Sequence, residues 1–551
     1  MKNRIFTALL LLVLMVTMTS NVQATSISLP NSLTLVYVNL SSSDDLSRFA
    51  STQLPMFAML DEGLLTSANQ AGQQGLIEAG LSFQVLDTAL RAGTYYLAKT
   101  RPSRPSPNFA SFGHVLLNTV NGVLIRTDPS QVDALTQAGA ELQAITLDPK
   151  PLPVAQIEEA FPDVVEPDPI IQGMIDQVNE TQVYTYDRQL AGELPVWVDD
   201  SWYIIATRNT KSGIPIRKTT SFVGQHMAND LGLDVEYHVW YNSTNPNVIG
   251  EIPGLVNPDD IFIIGAHIDD INGTKGADDN ASGSVATLLA ADILSQYQWG
   301  CTLRFAFWTG EEQGLLGSKA YAMRAHNAGE NIRGYLNLDM IAWNTPSSSP
   351  DIDIIYNSSM PPTQQLAQLF ADVVSTYNIN LIPEISTHLS GGSDHSSFLG
   401  YGYAAILSIE DQDDFNPSYH TSDDTPANTD PLYFTDFVKA SIATYAHMSD
   451  CLITSGFGYL DGHVIAMSDG SPINGASVIA DADLGHTYTT ITDSTGYYTR
   501  TLMAGTYSVT AFDCSVLPST INGIVIAADT VTSQNFIVQQ CDKSYLPLIN
   551  K

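Results

Sequence analysis

Positive charge is scarce in this chain: 23 Lys and Arg stand against 58 Asp and Glu in 551 residues, a formal charge of −35. Nucleic-acid affinity rests on cations that neutralise phosphates, so a nucleic-acid partner is excluded, and so is a basic anchor on a membrane surface. Cysteine is nearly absent. The four present, Cys301, Cys451, Cys514 and Cys541, show no C-x-x-C spacing, which removes zinc fingers and thioredoxin-type chemistry. No long apolar run follows residue 24, so no later segment is expected to span a bilayer. A G-x-S-x-G elbow is missing, as are a P-loop and a dinucleotide glycine fingerprint after a strand, which leaves serine hydrolases and nucleotide-binding enzymes without their signals. Charged residues are only 15% against a usual ~25%, yet 44% of the chain is hydrophobic, enough to bury a core rather than stay disordered.

The first 24 residues read as a secretory signal. Lys2 and Arg4 precede an apolar run over residues 5–18, and Val22-Gln23-Ala24 offers small residues for cleavage. The run falls short of the ~20 residues a spanning helix needs, so export rather than anchoring is expected, to a secreted or extracytoplasmic location. Four cysteines fit an oxidising compartment. The pairing is not fixed by sequence. Cys514–Cys541 is favoured because both flank strand-like runs of one small domain, which leaves Cys301–Cys451.

Residues 25–148 contain a weak internal echo, residues 64–87 resembling residues 124–148. Each copy reads as a strand end, an amphipathic helix, an Ala-Gly stop and an alternating strand, which predicts a small α+β domain. Such a segment behind an export signal is a propeptide that aids folding or inhibits, or else a permanent packing domain. Residues 149–167, rich in proline and acid, read as a linker open to processing. Residues 168–453 alternate helical and strand patterns, with apolar strands at 261–266, 303–308 and 335–338 and helices at 219–231 and 281–294. That alternation predicts an α/β layer fold with helices on both faces of its sheet. Residues 455–541 break into short β-rich runs punctuated by Asp469-Gly470, Asn474-Gly475 and Ala504-Gly505, an all-β sandwich, followed by a tail over 542–551.

Within the α/β part, acids and histidines gather where apolar strands end. The strand at 261–266 runs into His267-Ile268-Asp269, and Asp278-Asp279 follows at the start of a helix. The strand at 303–308 leads to Glu311-Glu312, the strand at 335–338 to Asp339, and His420 lies in a later proline-containing loop. In open α/β sheets the ligand crevice lies beyond the carboxyl ends of the strands, so these groups can converge. Imidazole and carboxylate without thiolate suit Zn²⁺ or Mn²⁺. Two histidines and three carboxylates hold two ions if one carboxylate bridges, and a neighbouring carboxylate can then act as general base.

These motifs resemble the secreted di-zinc aminopeptidases of the bacterial leucyl-aminopeptidase type, a family that also holds glutamate carboxypeptidases and glutaminyl cyclases. The resemblance covers about residues 170–453 and is carried by Gly265-Ala266-His267-Ile268-Asp269, Gly276-Ala277-Asp278-Asp279-Asn280, Gly310-Glu311-Glu312-Gln313-Gly314, Asn337-Leu338-Asp339-Met340, Ser393-Asp394-His395 and Tyr419-His420-Thr421. It implies a mixed, mostly parallel sheet between helices and two Zn²⁺ ions, one on His267 and Asp339, the other on Glu312 and His420, with Asp279 bridging. Glu311 would be the general base, Asp269 would orient the His267 ring, and Asp394 would stand behind the ligands. The resemblance also implies a cis peptide between Asp279 and Asn280. Peptides are the implied substrates, cleaved at the N-terminus through a metal-bridging hydroxide; a carboxypeptidase or dipeptidase, a glutaminyl cyclase and a non-catalytic binding protein are the alternatives.

Two departures stand out. Secreted relatives carry a disulfide loop with a tyrosine before Ser-Asp-His, whereas here the segment is His388-Leu389-Ser390-Gly391-Gly392, whose glycines could offer backbone N–H groups to an oxyanion. A lid-like insert before the first histidine is also missing. The acidic run Ser408 to Asp414 is expected to line the specificity pocket and favour basic over acidic N-terminal residues. The C-terminal sandwich resembles a carboxypeptidase regulatory-like module, through Gly462-His463-Val464, Pro472-Ile473-Asn474-Gly475 and Thr495-Gly496-Tyr497-Tyr498.

Overall fold

The structure, a computed structural model, describes residues 33–539 other than 61–62, 101–105, 121, 153–160, 163–164, 242, 388–391, 454–455, 483–486 and 514–515. The signal segment, the C-terminal tail, Cys514 and Cys541 lie outside the described residues, and with them the expected Cys514–Cys541 pairing.

The N-terminal part holds two four-stranded antiparallel sheets. The first contains β1 (Thr34–Asn39), β2 (Met56–Leu60), β3 (Gly63–Ala68) and β4 (Phe83–Asp87) in the order β2-β3-β1-β4. The second contains β5 (Tyr95–Thr100), β6 (Gly113–Thr119), β7 (Gly122–Thr127) and β8 (Ala140–Ala144) in the order β6-β7-β5-β8, the same pattern shifted by four. The internal echo is therefore a repeat of one split βαβ topology. In both copies a helix, Gln70–Glu78 or Val132–Gln137, precedes the last strand. Leu76 and Leu135 bury the apolar side of those helices.

A small hairpin, β9 (Val196–Val198) and β10 (Ser201–Tyr203), precedes the central sheet. That sheet comprises β11 (Asp234–His238), β12 (Asn247–Ile252), β13 (Asn257–His267), β14 (Cys301–Trp308), β15 (Asn331–Leu338), β16 (Asp351–Ile355), β17 (Ile382–Ser386) and β18 (Ala405–Glu410). Its order is β11-β12-β14-β13-β15-β18-β16-β17, parallel through the middle and antiparallel at β11, β12 and the β16–β18 pair. The mixed, mostly parallel sheet is as expected. Alternation along its strands sends Phe262, Ile264, Phe305 and Phe307 into one core with the helices Gly283–Leu294 and Pro431–Ser449, and Ile261, Ile263, Ala306 and Trp308 into the other with Tyr321, Tyr335 and Phe398. Burial on both faces explains why these strands read as continuous apolar runs.

Two helix boundaries differ from the sequence reading. The helix placed at 219–231 runs Ile214–Gln225 and opens into a wider turn over His226–Asp230. It starts early because Pro215 sits in the first turn, where a missing N–H costs no hydrogen bond. The helix placed at 281–294 begins at Gly283, since residues 279 and 280 take extended backbone angles that hold the site. The linker is also less free than expected, because Phe161 and Val165 are buried in the central core. Cys301 and Cys451 form a disulfide that ties the start of β14 to the end of helix Pro431–Ser449.

The C-terminal part forms β19 (Phe457–Ala466), β20 (Ser477–Ala482), β21 (Thr487–Ile491), β22 (Tyr497–Met503), β23 (Gly505–Asp513), β24 (Val516–Ile526), β25 (Val531–Ser533) and β26 (Phe536–Val538). One sheet centres on β19, flanked by β22 and by β25 and β26; the other has the order β21-β20-β23-β24. Val464, Val478, Tyr488, Tyr498, Val509 and Phe536 share the core between them.

Candidate metal centre

Four parallel strands end on the same side of the central sheet, and each delivers part of one acidic pocket. His267 is the last residue of β13, its Nε2 3.3 Å from both Asp339 Oδ1, just past β15, and Asp279 Oδ1. Asp279 reaches the other way with Oδ2, 3.1 Å from Nε2 of His420, which in turn lies 3.2 Å from Glu312 Oε2. Asp279 therefore stands between two sets of residues that could each hold a metal ion, His267–Asp279–Asp339 and Asp279–Glu312–His420. Glu311 groups with His267 and Glu312 but belongs to neither set, and is the less buried of the two glutamates.

The backbone that positions Asp279 is heavily tied down. The Asp279–Asn280 peptide is cis. Asn280 donates from Nδ2 to the Leu338 carbonyl and accepts from Gly283 N–H at 2.8 Å. The Asp424 carboxylate accepts from the N–H groups of both Asp278 and Asp279, and Asp278 accepts from Ala342 N–H and Asn416 Nδ2. The pair Asp278-Asp279 thus splits its work, the first bracing the loop and the second facing the pocket.

Asp269 and Asp394 do not line the cavity. The nearest partner of His267 Nδ1 is the backbone carbonyl of Asp269 at 3.1 Å, while the Asp269 carboxylate stands at 3.9 Å. That carboxylate accepts instead from Thr210 Oγ1 and from the Glu311 N–H, so it fixes the glutamate loop as much as the imidazole. Asp394 is fully buried, and burial pushes its carboxyl up to about 7.

Around the pocket the lining carboxylates are Glu141, Asp279, Glu311, Glu312 and Asp339, and among the described residues no Lys or Arg lines it. Burial and the charge of Asp279 push Glu312 up to about 8. Burial disfavours charge on both imidazoles, but the carboxylates around them outweigh it and raise them, His420 to about 10. Glu312 Oε1 is buried with no hydrogen-bond donor in reach among the described residues. A cluster of like charges in a dry site is costly unless cations join it, and neutral imidazole with carboxylate oxygen is a donor set that suits zinc. The residues fit two divalent ions.

Comparison with known proteins places this geometry. Residues 247–444 match the model of peptidase family M28, and residues 460–539 that of the carboxypeptidase regulatory-like domain. The central domain belongs to peptidase family M28. The M28 domain is 31% identical over 236 residues to a probable leucine aminopeptidase 2 of Aspergillus oryzae, covering 37% of this chain and 46% of that protein. It is 27% identical over 256 residues to aminopeptidase Y of Saccharomyces cerevisiae, covering 42% and 45%. This chain spans about half the length of these relatives. Among solved structures, the Legionella pneumophila LapA aminopeptidase aligns over 76% of this chain and 99% of its own, with a TM-score of 0.47 and 14% identity. The zinc aminopeptidase of Bacillus subtilis aligns over 36% and 49%, with a TM-score of 0.33 and 21% identity.

Two parts of the site depart from the sequence reading. None of Glu410, Asp411, Asp413 and Asp414, expected to line a specificity pocket, lines this cavity. Glu410 accepts from the Asn416 N–H and Asp411 from the Asp413 N–H within their own loop, and Asp414 accepts from Thr345, which ties that loop to the segment after β15. Thr136, Glu141 and Leu142, from the N-terminal domain, line the cavity and were not anticipated. Nothing in their local sequence marks them; only the packing of β8 and the helix Val132–Gln137 against the M28 domain brings them there.

Proposed function

We propose that the M28 domain is a di-zinc exopeptidase that removes N-terminal residues from peptides outside the cytoplasm. The observation that carries this reading is Asp279, whose two oxygens face two separate histidine–carboxylate pairs. His267 and Asp339 would hold one zinc, Glu312 and His420 the other, and Asp279 both. When bound, the ions supply Lewis-acid polarisation of the scissile carbonyl and an acidified water. Glu311, beside the ligands yet outside both sets, takes the proton of the attacking water and returns it to the leaving amine. Buried Asp269 holds the Glu311 backbone so that its side chain keeps its place. Aminopeptidase rather than carboxypeptidase action is the reading that the relatives favour, a probable leucine aminopeptidase 2 and aminopeptidase Y. The Cys301–Cys451 disulfide supports an oxidising location, and no helix among the described residues is long and apolar enough to cross a membrane.

Zinc content combined with hydrolysis of free and N-acetylated leucyl anilide tests the proposal. Two zinc ions per chain and cleavage of the free substrate alone are expected. Cleavage only of N-blocked peptides at their C-terminus would replace it with the carboxypeptidase reading; cyclisation of N-terminal glutamine with a single zinc would indicate a cyclase.

A further inference from the structure

The N-terminal domain reaches into the pocket with groups that compete for substrate-binding positions. Glu141 of β8 places Oε2 3.0 Å from the Gly392 N–H and Oε1 3.3 Å from the Tyr419 hydroxyl. Gly392 N–H is a donor that an oxyanion would use; a carboxylate oxygen occupies it instead. The Thr136 carbonyl lies 3.3 Å from His420 Nδ1. Between them the remaining cavity is about 20 Å³, room for about one water molecule and not for an aminoacyl group. The docking continues outside the pocket. Ala144 N–H donates to the Gly314 carbonyl, Gln137 Nε2 to the Asn272 carbonyl, and Lys211 pairs with Asp133 at 2.9 Å. Lys319 is buried beneath β8, donating to the carbonyls of Ala144 and Gly314.

We propose that residues 136–144 are a built-in competitive inhibitor, with the Glu141 carboxylate standing where the substrate's reacting carbonyl oxygen would bind, and that the M28 domain works only after the N-terminal domain is displaced. This rests on the reading of the site as catalytic. The peptidase is thereby kept silent until a second proteolytic event, of the class that cuts between folded domains, releases it.

The test uses the zinc-loaded full chain with one specific-protease sequence inserted between residues 150 and 168. Two readouts are taken before and after cutting: kcat/KM on free leucyl anilide, and the rate at which 1,10-phenanthroline strips zinc. Both should rise at least tenfold once the pieces separate. If the pieces stay together, uncut Glu141→Arg, which sets a bulky cation against the site, should raise both. Equal rates in cut and uncut chain, with zinc equally accessible, would overturn the proposal, as would a cut chain that keeps zinc but loses activity, since the N-terminal domain would then complete the site. Should zinc become more accessible with no turnover in any form, occlusion stands and the peptidase reading falls.

Discussion

Replacing Glu311 by Gln isolates proton transfer from everything else the pocket does. The two side chains have the same shape, so packing is kept, and the two ligand sets sharing Asp279 retain every member. The Glu311 N–H remains on Asp269, so the loop has no reason to move. What disappears is one carboxylate oxygen able to take a proton, next to Glu312 and outside the two groups that share Asp279. General-base removal costs about two to four decades in rate, or about 2.7–5.4 kcal/mol of barrier at ~1.36 kcal/mol per decade. The assay is kcat on free leucyl anilide for chain released from its N-terminal domain, alongside zinc content by mass spectrometry. We expect two zinc ions, an unchanged KM within about threefold, and kcat down at least about a hundredfold. A variant that stays folded but loses one zinc would make Glu311 a ligand. A drop of less than about tenfold with both zincs in place would show that another group carries the proton.

Asp279→Ala removes the group shared by both histidines, so zinc should fall well below one per chain while the circular-dichroism spectrum is kept; two retained ions would refute the bridging assignment. Reducing the disulfide by Cys301→Ser with Cys451→Ser opens a loop of 150 residues, for which chain-entropy arguments give about 5 kcal/mol as an upper value; denaturant titration should show the M28 domain losing a few kcal/mol, and an unchanged midpoint would count against it. His226 lies 2.6 Å from Asp292 and 2.9 Å from Asp230, and although burial opposes its charge these carboxylates push it up to about 10. Its folded value is raised, so the stabilisation is fully present below the ordinary imidazole range near ~6.5 and is lost as pH rises towards 10. Wild type should therefore lose stability over that window relative to His226→Gln, read from urea midpoints at pH 6 and 10; parallel pH curves would reject the ion pair.

The M28 domain was legible because its strands are buried on both faces. Residues 261–266, 303–308 and 335–338 had to be apolar throughout, and each had to end where polar groups can meet solvent, so His267, Glu311-Glu312 and Asp339 declared themselves by position. Chemistry that needs carboxylate and imidazole in fixed order leaves a spaced motif in the chain. The repeat in the N-terminal domain showed through for a similar local reason, since each copy must form the same strand, helix and strand. Packing between separately folded parts leaves no such trace. Glu141 looks like any exposed acid on an alternating strand, and only the docking of β8 turns it onto Gly392 and Tyr419. The acids at 410–414 looked like a pocket wall, yet backbone N–H groups within reach claim them first. Local period and spacing determined the elements and the strand ends at which the acids and histidines gather; which surfaces meet, and what they cover, was decided by tertiary contacts between residues hundreds of positions apart.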